Sequence, residues 1–310
     1  MASVWLTGLA LVLAGPVPAL LARARWPRAV PRAAIVLWQA VAVAAVLAAV
    51  GSALAAPEAM LRVLTHPQDR TGLPLAIAVA VAAILAGLIV ARLLGVLVLL
   101  AVRTRVRRAR HRDMVDLLAR AEQNDAVGSL GAGTVLRVLD GAVPFAYCVP
   151  GRVGREGRVV VTGAALDTLC PNELRAVVAH EQAHLAARHD LVREGFTALH
   201  QAFPVVVRSR EARDAVTLLL EMLADDAGRR RHGDEAMAGA LDAFASSTGS
   251  STEHDDVLMR RDRVRAHVRG GRALAAGTYL AAVALVVVPT VTIIIPWLAD
   301  ALPTLGLPPM

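Results

Sequence analysis

His180, Glu181 and His184, in the run His-Glu-Gln-Ala-His, are the residues of this 310-residue chain whose types and spacing specify chemistry most directly. Residues four apart on an α-helix share a face, so the two imidazoles can converge on one metal ion. Glu181 lies about 100° further round the helix and can reach a water on that ion. With nine His and ten Glu in the chain, composition alone gives about 0.01 such pentapeptides. The ion still needs a protein ligand. Glu221 offers it, because Val216, Leu219, Leu220, Leu223 and Ala227 form an apolar helical pattern that nevertheless carries acids. Asp225 shares the Glu221 face and would accept the second ring N–H of a ligand histidine, fixing its tautomer. Asp226 falls on another face and reads as solvated, and His189 reads as a polar residue ending the helix.

The surrounding elements are legible. Cys170-Pro171-Asn172-Glu173 puts Pro at the first helical position and Glu at the third, although Cys170 is a poor cap, and Leu174, Val177 and Val178 supply an inward face. Upstream, Thr134 to Leu139, Pro144 to Val149 and Arg158 to Thr162 read as three strands separated by Gly and Pro. A small sheet beside a metal-binding helix can offer an edge to an extended peptide.

At 56% hydrophobic residues and a mean hydropathy of +0.53, the chain is too apolar for an ordinary soluble enzyme. Four blocks reach bilayer-spanning length: Val4 to Leu21, Ala33 to Ala55, Pro74 to Val102 and Ala273 to Leu298. The first has arginines after it and none before it, the reverse of a cleavable signal peptide. Arg92 inside the third costs about 2.5 to 3.5 kcal/mol at a bilayer centre. The span is therefore expected to end near Ala91, with Arg92 snorkelling and Leu93 to Val102 continuing as an interfacial or protein-packed helix. The chain has no lysine, so orientation rests on arginine. Arg23, Arg25, Arg28 and Arg32 follow the first span, and six arginines lie between Arg103 and Arg112, whereas Ala56 to Leu73 balances two arginines with two acids.

These features predict an α-helical polytopic membrane protein of four spans with a cytoplasmic α+β domain inserted between spans 3 and 4. The expected boundaries are 1–102 for three spans, 103–272 for the domain, 273–299 for the fourth span and 300–310 for a short extracytoplasmic tail, with both termini outside. Membrane orientation accounts for most of the +7 charge. The arginine runs at Arg229 to Arg231 and Arg260 to Arg272 are expected to be lipid-facing or solvated, and no direct nucleic-acid binding is expected. Cys148 and Cys170 lack metal-ligand spacing and are assigned no chemistry. Ser246 to Thr252 reads as a surface loop. Arg263 is a candidate for oxyanion or substrate contact.

Ala146-Tyr147-Cys148-Val149-Pro150-Gly151, Val159 to Gly163, Asn172 to Leu185 and Glu221-Met222-Leu223-Ala224-Asp225 together resemble the BlaR/MecR-type integral-membrane metallopeptidases, whose wider clan includes the HtpX-like membrane proteases. The layout of three spans, a cytoplasmic domain and one span matches too. The resemblance implies one Zn2+ per chain held by His180, His184 and Glu221, with Glu181 as catalytic base, in a multi-pass protein of a bacterial plasma membrane. It also implies hydrolysis of a protein substrate, the chain itself or a cytoplasmic transcriptional repressor, with membrane lipids as the other partners. The antibiotic-sensing members carry a penicillin-binding domain after the last span, and about a dozen residues stand there in this sequence, so direct β-lactam sensing is not expected. A quality-control protease of the HtpX-like kind would share every catalytic residue, and a non-catalytic scaffold would bind no zinc.

Overall fold

The structure, a computed structural model, describes residues 2–65, 72–121, 134–151, 156–202, 209–246, 251–268, 270–297 and 299. It is mostly helical. In chain order the elements are α1 (Ala2–Ala14), α2 (Pro16–Arg23), α3 (Pro31–Thr65), α4 (Gly72–Leu118), β1 (Arg120–Ala121), β2 (Thr134–Leu139), β3 (Ala146–Val149) and β4 (Gly157–Thr162). Then follow α5 (Gly163–Thr168), α6 (Pro171–Ala186), α7 (His189–Ala202), α8 (Ser209–His232), α9 (Asp234–Ala245), α10 (Ser251–Arg265) and α11 (Arg272–Pro289). The chain divides into two units, one of Met1–Val98, Phe196–Val216 and Gly271–Met310, the other of Leu99–Gly195 and Thr217–Gly270. Phe196–Val216, which the sequence reading places inside the domain, thus groups with the span-bearing unit.

The first unit carries apolar helices. Among the described residues, four segments are long and apolar enough to cross a membrane: Ser3–Arg23, Pro31–Ala53, Gly87–Leu118, of which residues 99–118 belong to the second unit, and Arg272–Trp297. Three details depart from expectation. The first segment is two helices, because Pro16 has no N–H to donate to the preceding turn and starts a new helix after Gly15. Helix α3 runs on to Thr65, through residues expected to be loop. Helix α4 continues past Arg92, as expected, but the guanidinium meets protein where snorkelling was the expectation. Arg92 Nε donates to the Ala202 carbonyl at 2.9 Å, at the last residue of α7, where helix carbonyls lack an internal partner. The expected tail at 300–310 and most of the Ser246 to Thr252 loop lie outside the described residues.

The second unit is built on a four-stranded sheet ordered β1-β2-β4-β3. The parallel pair β2 and β4 is flanked by antiparallel β1 and β3, so the three expected strands form and β3 is a sheet edge. Val159, Val160 and Val161 of β4 are each 0% exposed, which makes β4 a strand covered on both faces. Val159 and Val161 pack with Leu174, Val177 and Val178 of α6, Met237 and Leu241 of α9 and Val264 of α10. On the other face Val160 meets Val115 and Ala119, near the end of α4. Period-two alternation thus divides β4 between two cores, and α6 is anchored on one of them.

Candidate metal centre

Helix α6 begins at Pro171, and the Cys170 N–H donates to Glu173 Oε2 at 2.9 Å, so Glu173 closes the helix start that Cys170 caps poorly. His180, Glu181 and His184 then fall on buried turns, at 5, 8 and 8% exposure. Helix α8 comes unusually close to α6 at Gly228. A Cβ there would lie 2.9 Å from the Ala176 carbonyl oxygen and 2.7 Å from Met237 Sδ, so glycine alone admits the approach. Stepping one turn forward along α6 and one back along α8 brings His180 beside Asp225, and a further turn brings His184 towards Glu221.

The distances bear this register out. His180 Nε2 and His184 Nε2 are 3.1 Å apart. Glu221 Oε2 is 3.4 Å from His180 Nε2, and Glu221 Oε1 is 3.6 Å from His184 Nε2. A tetrahedral zinc with bonds of 2.0 to 2.2 Å spaces its ligand atoms about 3.3 to 3.6 Å apart. Two imidazole nitrogens and a carboxylate oxygen, mutually within 4.8 Å, therefore suit zinc in both spacing and donor chemistry.

Charged groups converge behind the three donors. His180 Nδ1 is 2.9 Å from Asp225 Oδ1, and Asp225 is fully buried. Arg260 grips both Asp225 oxygens, at 2.8 and 2.7 Å, and its Nη1 is 3.4 Å from Glu221 Oε2. Arg193 donates to Glu221 Oε1 at 3.0 Å. Burial alone would lower the His180 pKa, but the Asp225 and Glu221 carboxylates outweigh it and raise the value to about 10. Burial would raise Asp225, yet Arg260 and His180 hold it at about 2. Glu221 is likewise driven well below the carboxylate range, against burial, by His180, His184 and Arg260. His189 touches the site as well, with Nδ1 2.9 Å from His184 Nδ1. Burial first, and then the neighbouring His184, lower its pKa to about 4. Cys148, on the edge strand β3, lies near Glu181: its thiol pKa is raised chiefly by burial and then by that carboxylate.

The structure brings together His180, His184, Glu221 and Asp225, with Glu181 buried beside the two histidines on α6. Arg263 stands elsewhere: it donates to both oxygens of Asp226 at 2.9 and 3.0 Å. Asp226 also lies 3.4 Å from the buried Arg229, which pairs with Asp234. This corrects the expectation of solvated arginine runs: Arg229, Arg260 and Arg263 point inward, each paired with a carboxylate of α8, and Asp226 anchors two of them. His189 does not end a helix but opens α7, at 3% exposure. Arg260, Arg193, His189 and Cys148 carry no sequence signal for a site. Only the acids of α8, which need partners once buried, hint that arginines lie near.

Residues 104–250, just under half of the chain, match the family model described as Peptidase family M48. The matched stretch includes all three candidate ligands and Glu181, and the match supports a metallopeptidase domain of that family. No curated protein and no solved structure matches the chain.

Proposed function

We propose that this chain is a membrane-embedded zinc endopeptidase that hydrolyses a protein substrate on the cytoplasmic side, in signal transduction, by cleaving itself or a transcriptional repressor. The observation that carries the reading is the His180, His184 and Glu221 donor set, at zinc-compatible spacing within a stretch that matches a metallopeptidase family. His180, His184 and Glu221 would hold the ion. Bound there, zinc supplies Lewis-acid chemistry, acidifying water and polarising a scissile carbonyl. Glu181, beside the donors on α6, takes the proton of the attacking water and returns it to the leaving amine. The β3 edge leaves backbone groups for an extended peptide to pair with, and Cys148 of that strand lies close enough to Glu181 for the carboxylate to raise its pKa. The arginines after the third apolar segment support the cytoplasmic placement, which a reporter fused near Ser247 checks by reading as internal.

Glu181→Gln keeps size and helix propensity while removing the base. Zinc content and fold are expected to persist while proteolysis in membranes falls by about 10² to 10⁴. Processing of substrate by this variant at the wild-type rate refutes the mechanism. Comparing proteins that accumulate in the Glu181→Gln strain identifies the substrate. One repressor, or the chain itself, supports signalling, whereas a broad set of damaged membrane proteins replaces that role with quality control.

A further inference from the structure

His184 and His189 meet at right angles, with ring centroids 4.7 Å apart, an interplanar angle of 88° and their Nδ1 atoms 2.9 Å apart. Such a contact holds one proton between two nitrogens. For His184 to present a lone pair on Nε2 towards His180 and Glu221, its own proton must sit on Nδ1. His184 then donates and His189 Nδ1 accepts, which puts the His189 proton on Nε2. That Nε2 is buried and has no hydrogen-bond partner among the described residues. Pairing with His184 is therefore the contact that orients the His189 ring.

The backbone between the two residues is arranged for this meeting. Arg188 adopts φ 51°, a left-handed conformation uncommon for a residue with a side chain, and it turns the chain sharply between α6 and α7. Arg108 then fixes the first turns of α7, donating to Asp190 at 2.8 Å and pairing with Glu194. A non-glycine held in this region, next to an imidazole buried against a candidate ligand, is local strain placed at a site.

We infer that His189 is a positioning residue for the metal centre: by accepting the His184 Nδ1–H bond, it holds His184 in the tautomer and ring orientation that a ligand needs. The inference rests on the zinc reading of His180, His184 and Glu221. A neutral acceptor suits this side of the site, because Glu181, Glu221 and Asp225 already concentrate three carboxylates there.

The test is zinc affinity, measured by competition with a chromophoric chelator on the full chain in detergent, with thermal unfolding of the metal-free proteins as a control. His189→Leu removes the acceptor and is expected to weaken zinc binding by about 10 to 100-fold. His189→Asn places a carbonyl oxygen near the Nδ1 position and is expected to restore most of the affinity. His189→Gln keeps the polarity but carries its oxygen near the Nε2 position; it is expected to bind weakly and serves if the Leu variant does not fold. Wild-type affinity in the Leu or Gln variant overturns the inference. An Asn variant no tighter than the Leu variant does so too, since the loss would then follow from ring packing. A wild-type chain that binds no zinc, or a His184→Ala variant that loses none, overturns the metal site itself and the inference with it.

Discussion

Arg260 and Asp225 form a two-pronged ion pair, with nitrogen–oxygen distances of 2.8 and 2.7 Å, between helices α10 and α8. Asp225 has no exposure to solvent, and its other oxygen contact, at 2.9 Å, is His180 Nδ1. The guanidinium thus steadies the carboxylate that steadies a candidate zinc ligand. Arg260→Met strips a buried charge of its main partner and is expected to cost about 3 to 5 kcal/mol of stability. Asp225→Asn is expected to weaken zinc binding by about 10 to 100-fold. Denaturant unfolding of the metal-free proteins and chelator competition check the two arms. An Arg260→Met protein as stable as wild type would show that the pair contributes nothing.

The pH dependence of zinc uptake has a definite sign. His180 in the metal-free site has a pKa raised to about 10, so at neutral pH binding displaces a proton from it. Affinity should therefore rise with pH, by roughly tenfold per unit between about pH 7 and about pH 9 from this group alone. For the metal-free fold the sign is opposite. A pKa raised from 6.5 to about 10 means that the His180 contribution is complete below about pH 6.5 and is lost as pH rises through about 10. The Asp225 contribution is complete above about pH 3.8 and is lost as pH falls through about 2. Chelator competition and thermal unfolding across this range check both. Zinc affinity independent of pH would remove His180 as a protonated group in the free site.

Gly228 sets the register between α6 and α8. In Gly228→Ala the added methyl would press on the Ala176 carbonyl oxygen, where a backbone atom must give way. Overpacking of this kind is expected to cost about 1 to 3 kcal/mol. Because the same crossing aligns Glu221 with the two histidines, zinc affinity should fall together with the melting temperature. An Ala variant that melts lower but binds zinc at full strength would detach the crossing from the site.

Local patterns in the sequence determine much of this protein. The spacing of His180, Glu181 and His184, Pro171 at the start of α6, the alternating valines of β4 and the long apolar blocks each act within one element, so period and composition suffice to read them. Glu221 and Asp225 were legible for a related reason: acids on an apolar helix face need something to neutralise them.

Only the tertiary structure decided what neutralises them. Arg260 looked like part of a solvated basic run, and His189 like a helix end. Both became site residues because α10 packs near α8 and a left-handed Arg188 turns the chain back on itself. Arg263 was displaced from the site by the geometry of its own helix, three residues on from Arg260, which aims it at Asp226 instead. The physical reason is common to all three. A charged or polar side chain has the same local pattern whether it faces water or a buried partner, and the choice is made by tertiary contacts: 35 and 37 residues away for Arg260 and Arg263, and across the Arg188 turn for His189.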